Sequence, residues 1–249
     1  MTAGTRGAPP PATAAAAREG GQARPGTAGA AGPGAPGVLD RLTPARRAAL
    51  RAECARLADL DDAEFGVRLL AATPTHEGRD PALLRRWAEA AAAFGVGLAA
   101  DRGTHGPAAR VVERDGGLEQ LLLARYVSRP APAVELFTDT LALGEELADL
   151  LGWRAWFPPG ALRAAAVAHE EAHCLLHRDP ALRRALRGRT GHTALRLGRF
   201  RIAGHVAGAD ELTAHGYAGA RCGLGRSPLL LTAALASAAG ALEEARGQD

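Results

Sequence analysis

The chain has 249 residues, enough to bury a substantial core in one or two domains. Its 30 basic residues, all Arg, stand against 27 acidic ones for a formal charge of +3, which excludes a polycation built for indiscriminate nucleic-acid binding. Three cysteines without CxxC spacing, Cys54, Cys174 and Cys222, suit a reducing, cytoplasmic compartment better than a disulfide framework.

Residues 1–37 mix Pro, Gly, Ala and Thr with scattered charges and no apolar stretch of signal-peptide type, so a disordered leader is expected there. The next segment, from Leu39 to Leu70, places Leu50, Cys54, Leu57, Phe65 and Leu69 at helical spacing. Thr43-Pro44 marks its start, and Asp59-Leu60-Asp61-Asp62 splits it into two helices. A further helix is predicted from Pro81 to Phe94, stopping at Gly95. Together these make a helical N-terminal region, 38–105, ahead of a second region, 106–249.

The second region opens with period-two patterning at Ala109–Glu113, Leu118–Tyr126 and Ala133–Thr138, the last two separated by the turn Val127–Pro132. A small antiparallel sheet is expected, in a mostly helical α+β fold. A helix from Leu141 to Leu151 ends at Gly152, and Phe157-Pro158-Pro159-Gly160 introduces a long one that ends at Asp179-Pro180. An Arg-rich connection follows, then helices over 208–222 and Ser227–Arg246. No membrane span is expected, since the longest apolar stretch, Pro228–Leu242, has about 15 residues against the roughly 20 required.

The long helix carries His169-Glu170-Glu171-Ala172-His173, an HExxH pattern. Residues four apart share a helix face, so both imidazoles can grip one metal ion while Glu170 reaches a water without being a ligand. That arrangement points to zinc-dependent hydrolysis. Two histidines bind zinc weakly, and the candidates for a third ligand are His177, His192, His205, Glu211 and His215. His177 lies about 12 Å along the helix from His169, too far to share an ion with bonds of about 2 Å. Glu211 is better placed, because a second helix crossing the first can offer its carboxylate from outside.

The run His169–His177 resembles the HExxHxxxH helix of the ImmA/IrrE-like zinc metallopeptidases, and Glu211-Leu212-Thr213-Ala214-His215-Gly216-Tyr217-Ala218 resembles their E-x-x-A-x-x-F-A segment. The resemblance covers roughly residues 80–225 and includes the hairpin and helix that precede the motif. It implies a gluzincin-like domain with its small sheet packed on the HExxH helix, in which His169, His173 and Glu211 hold Zn2+ and Glu170 is the general base. The substrate would be a protein or peptide, such as a transcriptional regulator. His177, His215 and Tyr217 could steady a ligand or the tetrahedral intermediate, or simply pack.

Two other readings fit parts of the chain. The stretch Arg178–Arg201 holds 8 Arg, so a non-catalytic zinc-binding regulator could use it to contact nucleic acid or an acidic partner. A ferritin-like di-metal site would use Glu170 and His173 as an E-x-x-H half, but no second E-x-x-H pair is present.

Overall fold

The computed structural model describes residues 37–101 and 110–247, all within the unit Pro36–Asp249. The expected leader lies outside the described residues apart from Gly37, and so does most of the boundary expected at 105/106.

Helices α1 (Pro44–Ala58) and α2 (Asp62–Ala71) form as the sequence predicts. The Thr43 side chain accepts from the Arg46 N–H at 3.3 Å with Pro44 in the first turn, and Asp61 accepts from the Glu64 N–H at 2.7 Å to start α2. Helix α3 (Pro81–Asp101) differs from expectation, because it continues through Gly95 for another turn and a half. The reason is tertiary. A Cβ on Gly95 would lie 2.0 Å from the Thr213 carbonyl oxygen, and one on Gly216 would lie 2.3 Å from the Ala92 carbonyl oxygen. The missing side chains let two helix backbones meet at this crossing, so Gly95 is a contact point and not a stop. The buried Thr213 hydroxyl lies 2.8 Å from the Ala209 carbonyl oxygen and 3.1 Å from that of Ala91, bridging the two helices.

Three short strands follow, β1 (Arg110–Arg114), β2 (Ala124–Val127) and β3 (Ala133–Phe137). Their order is β1-β3-β2, with β2 antiparallel and β1 parallel to β3. The sheet is therefore mixed, correcting the antiparallel expectation. Leu118–Tyr126 is not one strand either, since Leu118–Gln120 forms a 3-10 turn. The Asp139 carboxylate accepts from the N–H groups of Gly116, Gly117 and Leu118 at 2.9–3.2 Å, tying this turn to the helix after β3. The chain thereby leaves β1 on the far side of β3, which becomes the central strand. Val134 and Leu136 are fully buried, and Glu135 and Phe137, which alternate with them, are buried too, Glu135 being gripped by Arg114 at 2.5 Å and Arg125 at 2.6 Å.

Helices α4 (Thr138–Leu150) and α5 (Ala161–Arg178) frame the rest of the core, followed by α6 (Pro180–Thr190), β4 (Thr193–Leu197), β5 (Phe200–Ala203), α7 (Ala209–Arg221) and α8 (Pro228–Arg246). The Arg-rich stretch is thus a helix and a hairpin, correcting the expected connection. Asp179-Pro180 both ends α5 and starts α6, because the Asp179 carboxylate accepts from the Ala181 N–H at 2.8 Å. The β4–β5 hairpin leaves Leu195, Leu197, Phe200 and Ile202 about half to two-thirds exposed.

The main core joins α1, α4 and α8 to β3 and includes the fully buried Phe157. A second cluster lies between α2, α3, α6 and α7, and a third is a seam of small residues where α7 meets α5. The helices of 38–101 are integral to this unit, since α1 packs on α8 and α3 on α7. Among the described residues, no helix is long and apolar enough to cross a membrane.

Candidate metal centre

Helix α5 buries Leu162, Ala165, Ala168, Ala172 and Leu176 on one stripe, while His169, Glu170 and His173 sit half-buried beside it. Helix α7 buries Leu212, Ala214, Tyr217 and Ala218, with Glu211 and His215 one turn apart at the stripe's edge. The two stripes meet through alanines, Ala165, Ala168 and Ala172 against Ala214 and Ala218. Small residues keep the helices close, which brings the polar edges of both into contact.

There the four side chains converge. Nε2 of His173 lies 3.0 Å from Nε2 of His169 and 3.1 Å from Oε2 of Glu211. The other carboxylate oxygen, Oε1, lies 3.2 Å from Nε2 of His169 and 3.2 Å from Nε2 of His215. His169, Glu211 and His215 offer ligand atoms within 4.8 Å of one another and could hold a metal ion. His169 and His215 are well covered, at 16% and 12% exposure, whereas His173 and Glu211 remain open at 29% and 39%.

The electrostatics follow from this convergence. Burial pushes the Glu211 carboxyl up, but hydrogen bonds from His169, His173 and His215 outweigh it and hold the group far below the usual carboxylate range. The hydrogen bond to Glu211 raises His173, against the opposing effect of burial. His215 goes the other way, because its burial outweighs the attraction of Glu211 and favours the neutral ring.

Glu170 is held apart from the cluster. Its Oε2 accepts from the backbone N–H of Tyr126 at 3.0 Å, so the outer edge of β2 fixes the carboxylate. Both line a cavity of about 540 Å3 whose floor includes His169, His173 and Glu211 and whose walls are mainly apolar, among them Leu121, Leu123, Phe157, Leu162 and Leu231.

The remaining sequence candidates are placed elsewhere. His177 and His205 are exposed and line a second cavity beyond His173. His192 packs edge-on against Trp87 with ring centroids 5.0 Å apart. Tyr217 is buried, 4% exposed, in the α5–α7 seam. His215 belongs inside the cluster, and the signal for it was its four-residue spacing from Glu211, the same spacing as His169 and His173. The Tyr126 contact left no trace in the sequence, because it depends on where a strand edge lands.

Compared with protein-family models, curated protein sequences and solved structures, the chain matches none.

Proposed function

We propose that this chain is a zinc-dependent metallopeptidase of the ImmA/IrrE-like kind, hydrolysing a peptide bond in a protein substrate. The observation that carries this reading is the convergence of His169, His173 and Glu211 beside Glu170 on the floor of a cavity. The donor separations of 3.0–3.2 Å are compatible with zinc. With bonds of about 2.0–2.1 Å, two donors of a tetrahedral zinc site lie about 3.3 Å apart.

His169, His173 and Glu211 would hold the ion, and His215 would position Glu211. The tautomer decides between these roles. A neutral imidazole that ligates through Nε2 carries its proton on Nδ1, and Nδ1 of His215 is buried without a hydrogen-bond partner. If instead Nε2–H donates to Oε1 of Glu211, the unpartnered atom is a lone pair, which costs less than an orphaned N–H.

Zinc bound there would lower the pKa of a coordinated water toward about 7 and polarise the scissile carbonyl. Glu170 is the general base: it takes the proton of the attacking water and returns it to the leaving amine. The Tyr126 N–H holds one of its oxygens, so the other serves the water. The apolar cavity walls would receive a substrate side chain.

The test is Glu170→Gln, assayed for zinc content and for cleavage of a peptide library. Retained zinc with hydrolysis reduced at least about 100-fold supports the reading. Unchanged hydrolysis contradicts it, and a wild-type chain that binds zinc but cleaves no peptide favours a non-catalytic regulator.

A further inference from the structure

The cavity over the candidate metal centre does not end at His173. A second cavity of about 690 Å3 adjoins it, and Tyr126 and His173 line both. The two differ in chemistry. The first is walled mainly by leucines and Phe157, its one arginine, Arg125, being paired with Glu135, whereas the second carries Arg178, Arg183 and Arg187 against one lining carboxylate, Asp210. The arginines have distinct placements. Arg183 donates to the carbonyl of Leu176 at 2.7 Å and to that of His177, capping the end of α5. Arg178 reaches the Tyr126 hydroxyl at 3.4 Å, leaning toward β2. Arg187 sits one turn beyond Arg183 on the same face of α6.

Resting on the peptidase reading, we propose that this cationic cavity binds an acidic residue of the substrate, Asp, Glu or a terminal carboxylate, with Arg178 and Arg187 as its specificity-determining residues. The cleft is then apolar at one end and cationic at the other. A substrate places an apolar side chain in the leucine-walled cavity and a carboxylate in the arginine-lined one, with the scissile bond between them over His169 and His173. Guanidinium groups pair with a carboxylate through two parallel hydrogen bonds, which amides cannot reproduce. The concave shape beside the cluster favours a side chain over an extended polyanion, which would need a basic stripe on the outer surface. Arg183 is already committed to the α5 carbonyls and contributes field more than contact.

The experiment uses the zinc-loaded full chain and fluorogenic peptides in pairs that differ only by Glu against Gln at each position flanking the scissile bond. The ratio of kcat/KM is measured for wild type, the Arg178→Gln/Arg187→Gln double variant, the Arg178→Lys/Arg187→Lys double variant and Arg184→Gln. Arg184 lies on the exposed side of α6 and serves as a control. The same peptides are bound to a Glu170→Gln background by fluorescence anisotropy, which reports recognition without turnover.

An about tenfold preference for Glu on one side of the bond is expected, as for one charge-assisted pair. It should fall to within about twofold in the Gln double variant, fall to an intermediate value in the Lys variant, which keeps the charge and loses the paired hydrogen bonds, and stay unchanged in Arg184→Gln. Equal handling of Glu and Gln by wild type overturns the inference, as does a preference that persists in the Gln double variant or vanishes in Arg184→Gln. If no peptide is cleaved, the peptidase reading fails, and the anisotropy ratios decide the inference by the same criteria.

Discussion

Replacing Gly95 by Ala adds one methyl group at the α3–α7 crossing. Its Cβ would lie 2.0 Å from the Thr213 carbonyl oxygen and 2.7 Å from the Tyr217 nitrogen, where ordinary contact begins near 3.4 Å. Both obstacles are backbone, so no side chain can rotate away and the helices must separate by about 1.4 Å. A gap of that size forfeits at least half of the dispersion attraction across the seam, and overpacking of this kind costs about 3 kcal/mol. The gain in helix propensity returns only about 0.5–1 kcal/mol. Gly97→Ala, two residues along the same helix, meets nothing within 4 Å and collects that gain without the clash. The melting temperature of Gly95→Ala should therefore fall by about 5–10 °C while that of Gly97→Ala rises by a few degrees. Because α7 carries Glu211 and His215, zinc affinity should fall with stability in Gly95→Ala and not in Gly97→Ala. Thermal unfolding followed by circular dichroism, with competitive chelator titration, measures both. Equal melting temperatures for the two variants would refute the close crossing.

Other expectations follow from particular contacts. The hydrogen bond from Arg125, opposed by burial and aided by Arg114, holds Glu135 below its ordinary value of 4.5. A depressed carboxyl stabilises the fold above the unfolded-state pKa and loses that contribution as pH falls through the folded one. Wild-type stability should thus drop below about pH 4.5 more steeply than that of Glu135→Gln, and parallel acid limbs would argue against the pair. Both arginines are more than half exposed, so the cost of Glu135→Gln at pH 7 is kept to about 1 kcal/mol, read from denaturant midpoints. Leu197→Ser/Phe200→Ser on the exposed hairpin should change stability by less than about 0.5 kcal/mol, whereas Leu143→Ala in the core should cost about 2–5 kcal/mol. A hairpin variant as damaging as the core one would mean that the hairpin face is covered. His215→Ala should bind zinc at reduced affinity with unchanged stoichiometry, and His173→Ala should lose it. The reverse pattern in metal titrations would make His215 the ligand.

Much of the fold was legible where the signal is local. The Asp59–Asp62 break, the buried Val134 and Leu136 and the end of α5 at Asp179-Pro180 each depend on a few neighbouring residues. Gly95 was misread because a glycine that stops a helix and one that lets another helix approach look alike in one dimension. The mixed sheet escaped because strand order depends on how the Asp139-anchored turn routes the chain. Helix α6 was hidden because Leu182 and Leu186 are isolated among arginines. In the candidate site, the four-residue spacings put His169 with His173 and Glu211 with His215. That the two pairs meet is a consequence of the alanine seam, which selects His215 from the candidate histidines that the sequence offers.

The most direct test of the central claim is the zinc content of the purified, tag-free chain beside His169→Ala/His173→Ala and Glu211→Ala, with Glu243→Ala as a surface control. About one zinc per chain in wild type and Glu243→Ala, and none in the other two, is the result the convergent site requires. Equal zinc in all four chains, or none in wild type even after zinc is added, would contradict it.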